Sequence, residues 1–148
     1  MRTVLFVCTG NTCRSPLAEG IARGLLAKGA IPGVEGKFFV VSAGIFASEG
    51  AATSPETLDA LHRRGYELEG ASKPLNRVMI DGADLVLGMT QSHVNAARSI
   101  APNSSTPIER LDPNSDIEDP IGMGEAAYEQ LAVKMERLIP PRLKEFLG

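Results

Sequence analysis

Thr3-Val4-Leu5-Phe6-Val7-Cys8-Thr9-Gly10-Asn11-Thr12-Cys13-Arg14-Ser15-Pro16 joins a short apolar run to a helix opening through a loop that carries a thiol and an arginine. Thr3 to Val7 reads as a buried strand, and Ser15-Pro16 as a helix start with proline at the first helical position. Cys8 therefore stands where a strand hands over to a helix. Unpaired N–H groups at such a helix start, with the positive end of its dipole, make an anion site and favour a thiolate over a thiol.

Thr9, Gly10, Asn11, Thr12 and Cys13 give a loop long enough for successive amides to curl round a tetrahedral anion. Gly10 is expected to supply the unusual backbone angle this curl requires. Arg14 closes the ring: its planar fork suits two equatorial oxygens of a phosphoryl group while Cys8 attacks phosphorus along the axis. Asn11 tolerates left-handed angles and can tie the loop internally, and the Ser15 hydroxyl can donate to the Cys8 sulfur and help it leave. A bare Cys-x5-Arg is a weak signal whose bland reading is a buried cysteine beside a capped helix. Strand, loop chemistry and helix opening together point instead to a phosphate-handling nucleophile.

Outward from this loop, strand and helix alternate. Leu17, Ile21 and Leu25 with Ala18, Ala22 and Leu26 form a helical stripe that Gly29 can end, and Phe38-Phe39-Val40-Val41 reads as the second strand. Ser54-Pro55 opens a helix closed near Gly65, and Pro74 is expected to begin a shorter one before the strand at Leu85-Val86-Leu87. Thr90 caps the next helix, Pro107 to Leu111 reads as the last strand, and Ala126 to Leu138 as a final helix interrupted at Pro140-Pro141. The pattern predicts an α/β, doubly wound (Rossmann-like) fold: a parallel four-stranded sheet with helices on both faces. Ligands in such folds bind outside the carboxyl ends of the strands, where Cys8, Ser42 and Thr90 fall.

With 148 residues and 43% apolar content, the chain is expected to form a single domain over 1–148 with one proper core. A net charge of −3 argues against a nucleic-acid platform or a binder of anionic membranes. The first residues lack the pattern of a cleaved signal, and no stretch approaches the roughly 18 apolar residues of a membrane span, so a cytoplasmic location is expected. The two cysteines, Cys8 and Cys13, both lie in the loop, which excludes a secreted disulfide framework. With His62 and His93 far from them in sequence, no metal or other cofactor is implied. Cys13 reads as a small core-facing residue, near enough to Cys8 to trap its oxidised form as a disulfide.

Phosphoryl transfer to such a nucleophile also needs a proton donor for the leaving group, and the same carboxyl can later activate water. Asp112, Asp116, Glu118 and Asp119 all compete for that role on chemistry alone.

The Cys8 to Pro16 loop, Ser42-Ala43-Gly44, Ala83-Asp84-Leu85-Val86-Leu87 and Asp119-Pro120 resemble the low-molecular-weight protein-tyrosine-phosphatase family over nearly the whole chain. Within it, Thr12, Thr90 and Ser42-Ala43-Gly44-Ile45-Phe46-Ala47-Ser48 are similar to the bacterial protein-arginine phosphatases; tyrosine-directed relatives usually carry isoleucine where Thr12 stands. The resemblance implies a phosphocysteine at Cys8, Asp119 as the acid, phosphorylated proteins as substrates and inorganic phosphate as product. Ser42 would support the loop. Relatives place aromatic residues after the Asp-Pro pair, whereas this chain has Ile121-Gly122-Met123, which leaves Phe46 as the candidate wall of the substrate slot.

Four rivals are weighed at this level. Phosphotyrosine is the alternative substrate. Arsenate reduction on a similar loop needs further cysteines downstream, and none follows Cys13. A non-catalytic oxyanion-binding module would dispense with Cys8 or Asp119, and both are present. A nucleotide-hydrolysing loop lacks its Gly-Lys-Ser or Gly-Lys-Thr ending.

Overall fold

Side chains of β1 (Arg2–Cys8) alternate between two apolar layers: Val4, Phe6 and Cys8 enter one core, Leu5 and Val7 the other. A strand buried on both faces reads as a continuous apolar run, which is what marks it in the sequence. The computed structural model describes residues 1–148 and places β1 centrally. It pairs in parallel with β2 (Phe38–Gly44) on one side and β3 (Leu85–Gly88) on the other, and β4 (Ile108–Arg110) adds in parallel to β3, giving the order β2-β1-β3-β4. This is the expected four-stranded parallel sheet.

Helices cover both faces. Against Val4 and Phe6 pack α1 (Arg14–Ala27), α2 (Pro55–Arg63) and α5 (Glu125–Leu147), through Leu17, Ile21, Leu61, Met135 and Ile139. Against Leu5 and Val7 pack α3 (Arg77–Gly82) and α4 (Gln91–Ile100), through Ile80, Val94 and Ala97. Each large aliphatic side chain so buried contributes roughly 1.5 to 3 kcal/mol.

Several expected boundaries move. β2 runs through Ser42-Ala43 to Gly44, because its register against β1 continues to the Cys8↔Gly44 pair. α1 begins at Arg14, so Pro16 is its third residue; the first four N–H groups of a helix lack partners anyway, and the missing donor costs nothing there. Pro74 does not open a helix. It forms an isolated parallel bridge with Gly44, and α3 starts only at Arg77, capped by Asn76, whose side chain accepts from the Met79 amide at 2.9 Å.

Nor do Pro140-Pro141 interrupt α5, which continues to Leu147. Each proline removes one intrahelical donor and costs about 3 kcal/mol in a helix interior. Both lie off the buried seam, where Leu131, Met135, Ile139, Leu143 and Leu147 follow one another at four-residue spacing into the core. Leu143 and Leu147 would lose that burial if the helix stopped, and Arg142 on the same turn donates to the Arg110 carbonyl at 2.6 Å.

Candidate active site

All four strands end on the same side, and the segments that follow them converge round Cys8. From Cys8 to Cys13, four carbonyls are tied outward: Ile45 N–H donates to Cys8 O and Phe46 N–H to Thr9 O, both at 3.0 Å, while Ser54 N–H donates to Thr12 O at 2.9 Å and Leu17 N–H to Cys13 O at 3.0 Å. The N–H groups of Thr9, Gly10, Asn11, Thr12 and Cys13 have no partner within the protein. With carbonyls held by the flanks, these consecutive amides form a nest for an anion at a helix N-terminus.

The angle that turns the loop belongs to Asn11, at φ 57°, and not to Gly10 as the sequence suggested. Asparagine adopts this region because its short amide compensates the backbone locally. Here Asn11 Oδ1 accepts the Lys73 N–H at 3.0 Å, which orients the amide, and Nδ2 donates to Ser15 Oγ at 2.8 Å and to Ser42 Oγ at 2.9 Å. Ser15, its oxygen already accepting, has its proton free for Cys8 Sγ, 2.8 Å away. Ser42 in the same way donates to Glu19 Oε1 at 2.7 Å. Gly44 permits the close approach of β2: a Cβ there would lie 2.4 Å from Thr9 O and 3.0 Å from Asn11 N.

Arg14 is 6% exposed and held edge-on, with Nη1 donating to Ile117 O at 2.9 Å and Nη2 reaching Thr9 Oγ1 at 3.4 Å. Of the four competing carboxylates, Asp119 is the one beside it, Oδ2 standing 3.9 Å from Nη2 with the side chain 44% exposed. Its Oδ1 accepts the Ile121 N–H at 3.0 Å, so the loop backbone orients the carboxyl. Asp112 is committed elsewhere: it accepts from Asn114 N–H and Ser115 Oγ and pairs with Lys134 at 3.4 Å. Asp116 accepts the Gln91 amide at 2.9 Å and meets Arg110. Glu118 is exposed. Ile117, fully buried and bonded through its N–H to Met89 O at 2.9 Å, anchors the segment that presents Asp119.

Thr12 and Cys13 line an open cavity of about 460 Å³ with Ser54, Glu56, Ile121 and Tyr128. Cys13 is buried in the core cluster with its sulfur 3.4 Å from the Tyr128 hydroxyl, and burial, then this contact, push that phenol above its ordinary range. Phe46 is no core residue: it is 82% exposed, with its backbone pinned to the loop. Among the buried polar residues whose place at the site the sequence reading missed are Glu19 and His93. Glu19 looked like half of a surface pair with Arg23 four residues on, which it does form, at 2.9 Å, while its other oxygen takes Ser42. His93 occupies the third position of α4, where its Nδ1 accepts the Thr90 N–H at 3.1 Å in a capping box; Nε2 lies 2.9 Å from Thr9 Oγ1. Burial, and after it the charge of Arg14, lower its pKa to about 4. The signal available was Thr90-x-x-His93, a capping-box spacing with histidine in place of Glu or Gln.

A thiol, a nest of free amides and an arginine at the carboxyl edge of a parallel sheet define a cysteine-based oxyanion enzyme. The model of the family "Low molecular weight phosphotyrosine protein phosphatase" matches residues 3–146, and the chain belongs to that family. It is 38% identical over 140 residues to the low molecular weight protein-tyrosine-phosphatase PtpB of Staphylococcus epidermidis, covering 92% of this chain and 93% of that one. It is 31% identical over 147 residues to the protein-arginine-phosphatase of Bacillus subtilis, covering 96% of this chain and 95% of that one. Among solved structures, a cysteine-to-serine mutant of the YwlE arginine phosphatase, with its active-site serine phosphorylated, superposes with a TM-score of 0.85 at 30% identity, over 97% of this chain and 96% of that one. No helix is long and apolar enough to cross a membrane.

Proposed function

We propose that this phosphatase hydrolyses phosphoarginine in proteins. In the first step the Cys8 thiolate attacks phosphorus, forming the S–P bond as the P–N bond breaks, and Asp119 delivers its proton to the departing guanidine nitrogen. The loop amides and Arg14 hold the three equatorial oxygens throughout, and because they are fixed before the reaction they stabilise the charge that builds there without reorganising. In the second step Asp119, now a carboxylate, takes a proton from water as its oxygen attacks phosphorus. The S–P bond breaks, inorganic phosphate leaves, and the thiolate departs onto the Ser15 hydroxyl.

The observation that carries the arginine preference is Thr12. Its side chain lines the cavity beside the nest together with Ile121, so the slot offers a hydroxyl and an aliphatic wall to the substrate. A polar, flexible phosphoguanidinium gains a hydrogen-bonding partner from this surface, whereas a phenyl ring gains none. The similarity to protein-arginine phosphatases over nearly the full chain supports the reading. Phosphotyrosine is the second reading, favoured by the exposed Phe46 ring next to the loop and by the similarity to PtpB.

The experiment is a side-by-side measurement of kcat/KM on one peptide carrying phosphoarginine or phosphotyrosine, with wild type and Thr12→Ile. Wild type should prefer phosphoarginine, and Thr12→Ile should lose that substrate selectively. A wild-type preference for phosphotyrosine assigns the enzyme to the second reading.

A further inference from the structure

Arg14 must keep one orientation for its fork to meet two equatorial oxygens, and the loop alone does not fix it. Ile117 O takes Nη1; the other hydrogen bond, from Nη2, is to the hydroxyl of Thr9, with Asp119 Oδ2 farther off at 3.9 Å. That hydroxyl has one further partner, Nε2 of His93, at 2.9 Å and 84 residues away in sequence. His93 is 2% exposed and has no part in the two chemical steps. Its tautomer follows from the Thr90 amide, which can only donate: Nδ1 accepts, so the ring proton sits on Nε2 and is given to Thr9. Thr9 Oγ1 thus accepts from His93 and turns its remaining lone pair to Arg14. Helix capping uses only Nδ1. The Nε2 contact to a different element is not required for the cap.

We propose that His93 is a positioning residue for phosphoryl transfer, holding the Thr9 hydroxyl so that it sets the plane of the Arg14 guanidinium. The inference rests on the phosphatase reading of Cys8 and Arg14. It couples the start of α4 to the nest. Gly88 makes the approach possible, since a Cβ there would lie 3.2 Å from His93 Cβ and 3.1 Å from Val94.

The test compares His93→Leu, His93→Gln, Thr9→Val and the His93→Leu/Thr9→Val double variant, with kcat and KM on an activated aryl phosphate and thermal unfolding of each. A guanidinium out of plane fails chiefly at the transition state, so His93→Leu and Thr9→Val should each lower kcat about tenfold with KM little changed. Glutamine can accept from the Thr90 amide with its oxygen and donate to Thr9 with its nitrogen, so His93→Gln should recover most of the rate. The double variant should be no slower than the slower single one, because the relay is already cut. Wild-type kcat in folded His93→Leu, multiplied losses in the double variant, or a well-folded His93→Gln as slow as His93→Leu would each overturn the proposal. If His93→Leu does not fold, Thr9→Val decides: wild-type kcat there overturns it. Failure of the underlying reading shows separately, as turnover by Cys8→Ser.

Discussion

Ser15 Oγ lies 2.8 Å from Cys8 Sγ and accepts from Asn11 Nδ2 at 2.8 Å, which leaves its own proton free for the sulfur; when Cys8 is a thiolate the hydroxyl is the one possible donor of that contact. The bond is strongest when the sulfur is an anion, so in the proposed mechanism it would stabilise the attacking thiolate and again the departing one. Ser15→Ala removes a hydrogen bond to a charged group, worth about 1.5 to 3 kcal/mol, and kcat should fall roughly ten- to hundredfold. Rapid quenching should show phosphoenzyme accumulating, since its breakdown loses the same support. An unchanged kcat would mean the hydroxyl serves only to pack the loop.

Cys8→Ser should fold and bind inorganic phosphate as wild type does but not turn over, because a serine hydroxyl is not ionised at neutral pH. Phosphate binding by calorimetry and turnover on an aryl phosphate are the two measurements. Turnover retained would remove Cys8 as nucleophile.

Asp119→Ala should slow phosphoarginine hydrolysis by about 10² to 10⁴, because a guanidine leaves poorly without a proton. An activated aryl phosphate needs little protonation of its leaving group and should lose far less. Equal losses on both would make the 3.9 Å contact to Arg14 a structural ion pair.

The sheet and its covering helices were legible because period and burial coincide: Val4 to Val7 is apolar throughout and buried on both faces. The nest was legible because its chemistry is local, within the eight residues from Cys8 to Ser15 that the Cys8–Ser15 hydrogen bond spans. Asp119 was not separable from Asp112 and Asp116 by residue type, because all three are loop carboxylates. What separates them is which cation or amide the fold brings to each, Lys134 for Asp112 and the Gln91 N–H for Asp116. The left-handed residue was assigned to Gly10 on intrinsic freedom, but the ties to Lys73 and Ser42, both distant in sequence, fix it at Asn11. Pro140 and Pro141 were read locally as a stop, and the tertiary seam through Leu143 and Leu147 overrides them.

His93 should make the fold acid-sensitive. Its pKa is lowered from 6.5 to about 4 by burial first and by Arg14 next, against opposing pulls from Asp116 and Asp119. Between those values the unfolded chain binds a proton that the folded one does not. Stability is therefore full above about pH 6.5 and falls as pH drops toward 4, by roughly 3 kcal/mol at 1.36 kcal/mol per unit. Urea unfolding of wild type and His93→Gln at pH 7 and 4.5 checks this, since losses from carboxylates are common to both. A difference between the two pH values as large in His93→Gln as in wild type would assign the sensitivity to other groups.

Oxidation should inactivate the enzyme reversibly through Cys13. Peroxide converts the Cys8 thiolate to a sulfenic acid with release of hydroxide, and the Cys13 thiol then displaces water from it to form a disulfide. Cys13 is buried, with the Tyr128 hydroxyl 3.4 Å from its sulfur, so pairing requires the side chain to leave that contact and turn toward Cys8. A disulfide also needs the two Cα atoms within about 7 Å, which restricts the loop closing over the nest once it forms. Wild type treated with mild peroxide should lose activity, show an intramolecular disulfide by mass spectrometry and recover fully with a thiol. Cys13→Ser should instead progress to the sulfinic acid and recover little. Tyr128→Phe removes the hydroxyl that holds Cys13 and should form the disulfide faster at the same peroxide concentration. Equal recovery of wild type and Cys13→Ser, with no disulfide in either, would leave Cys13 as a packing residue between the loop and α5.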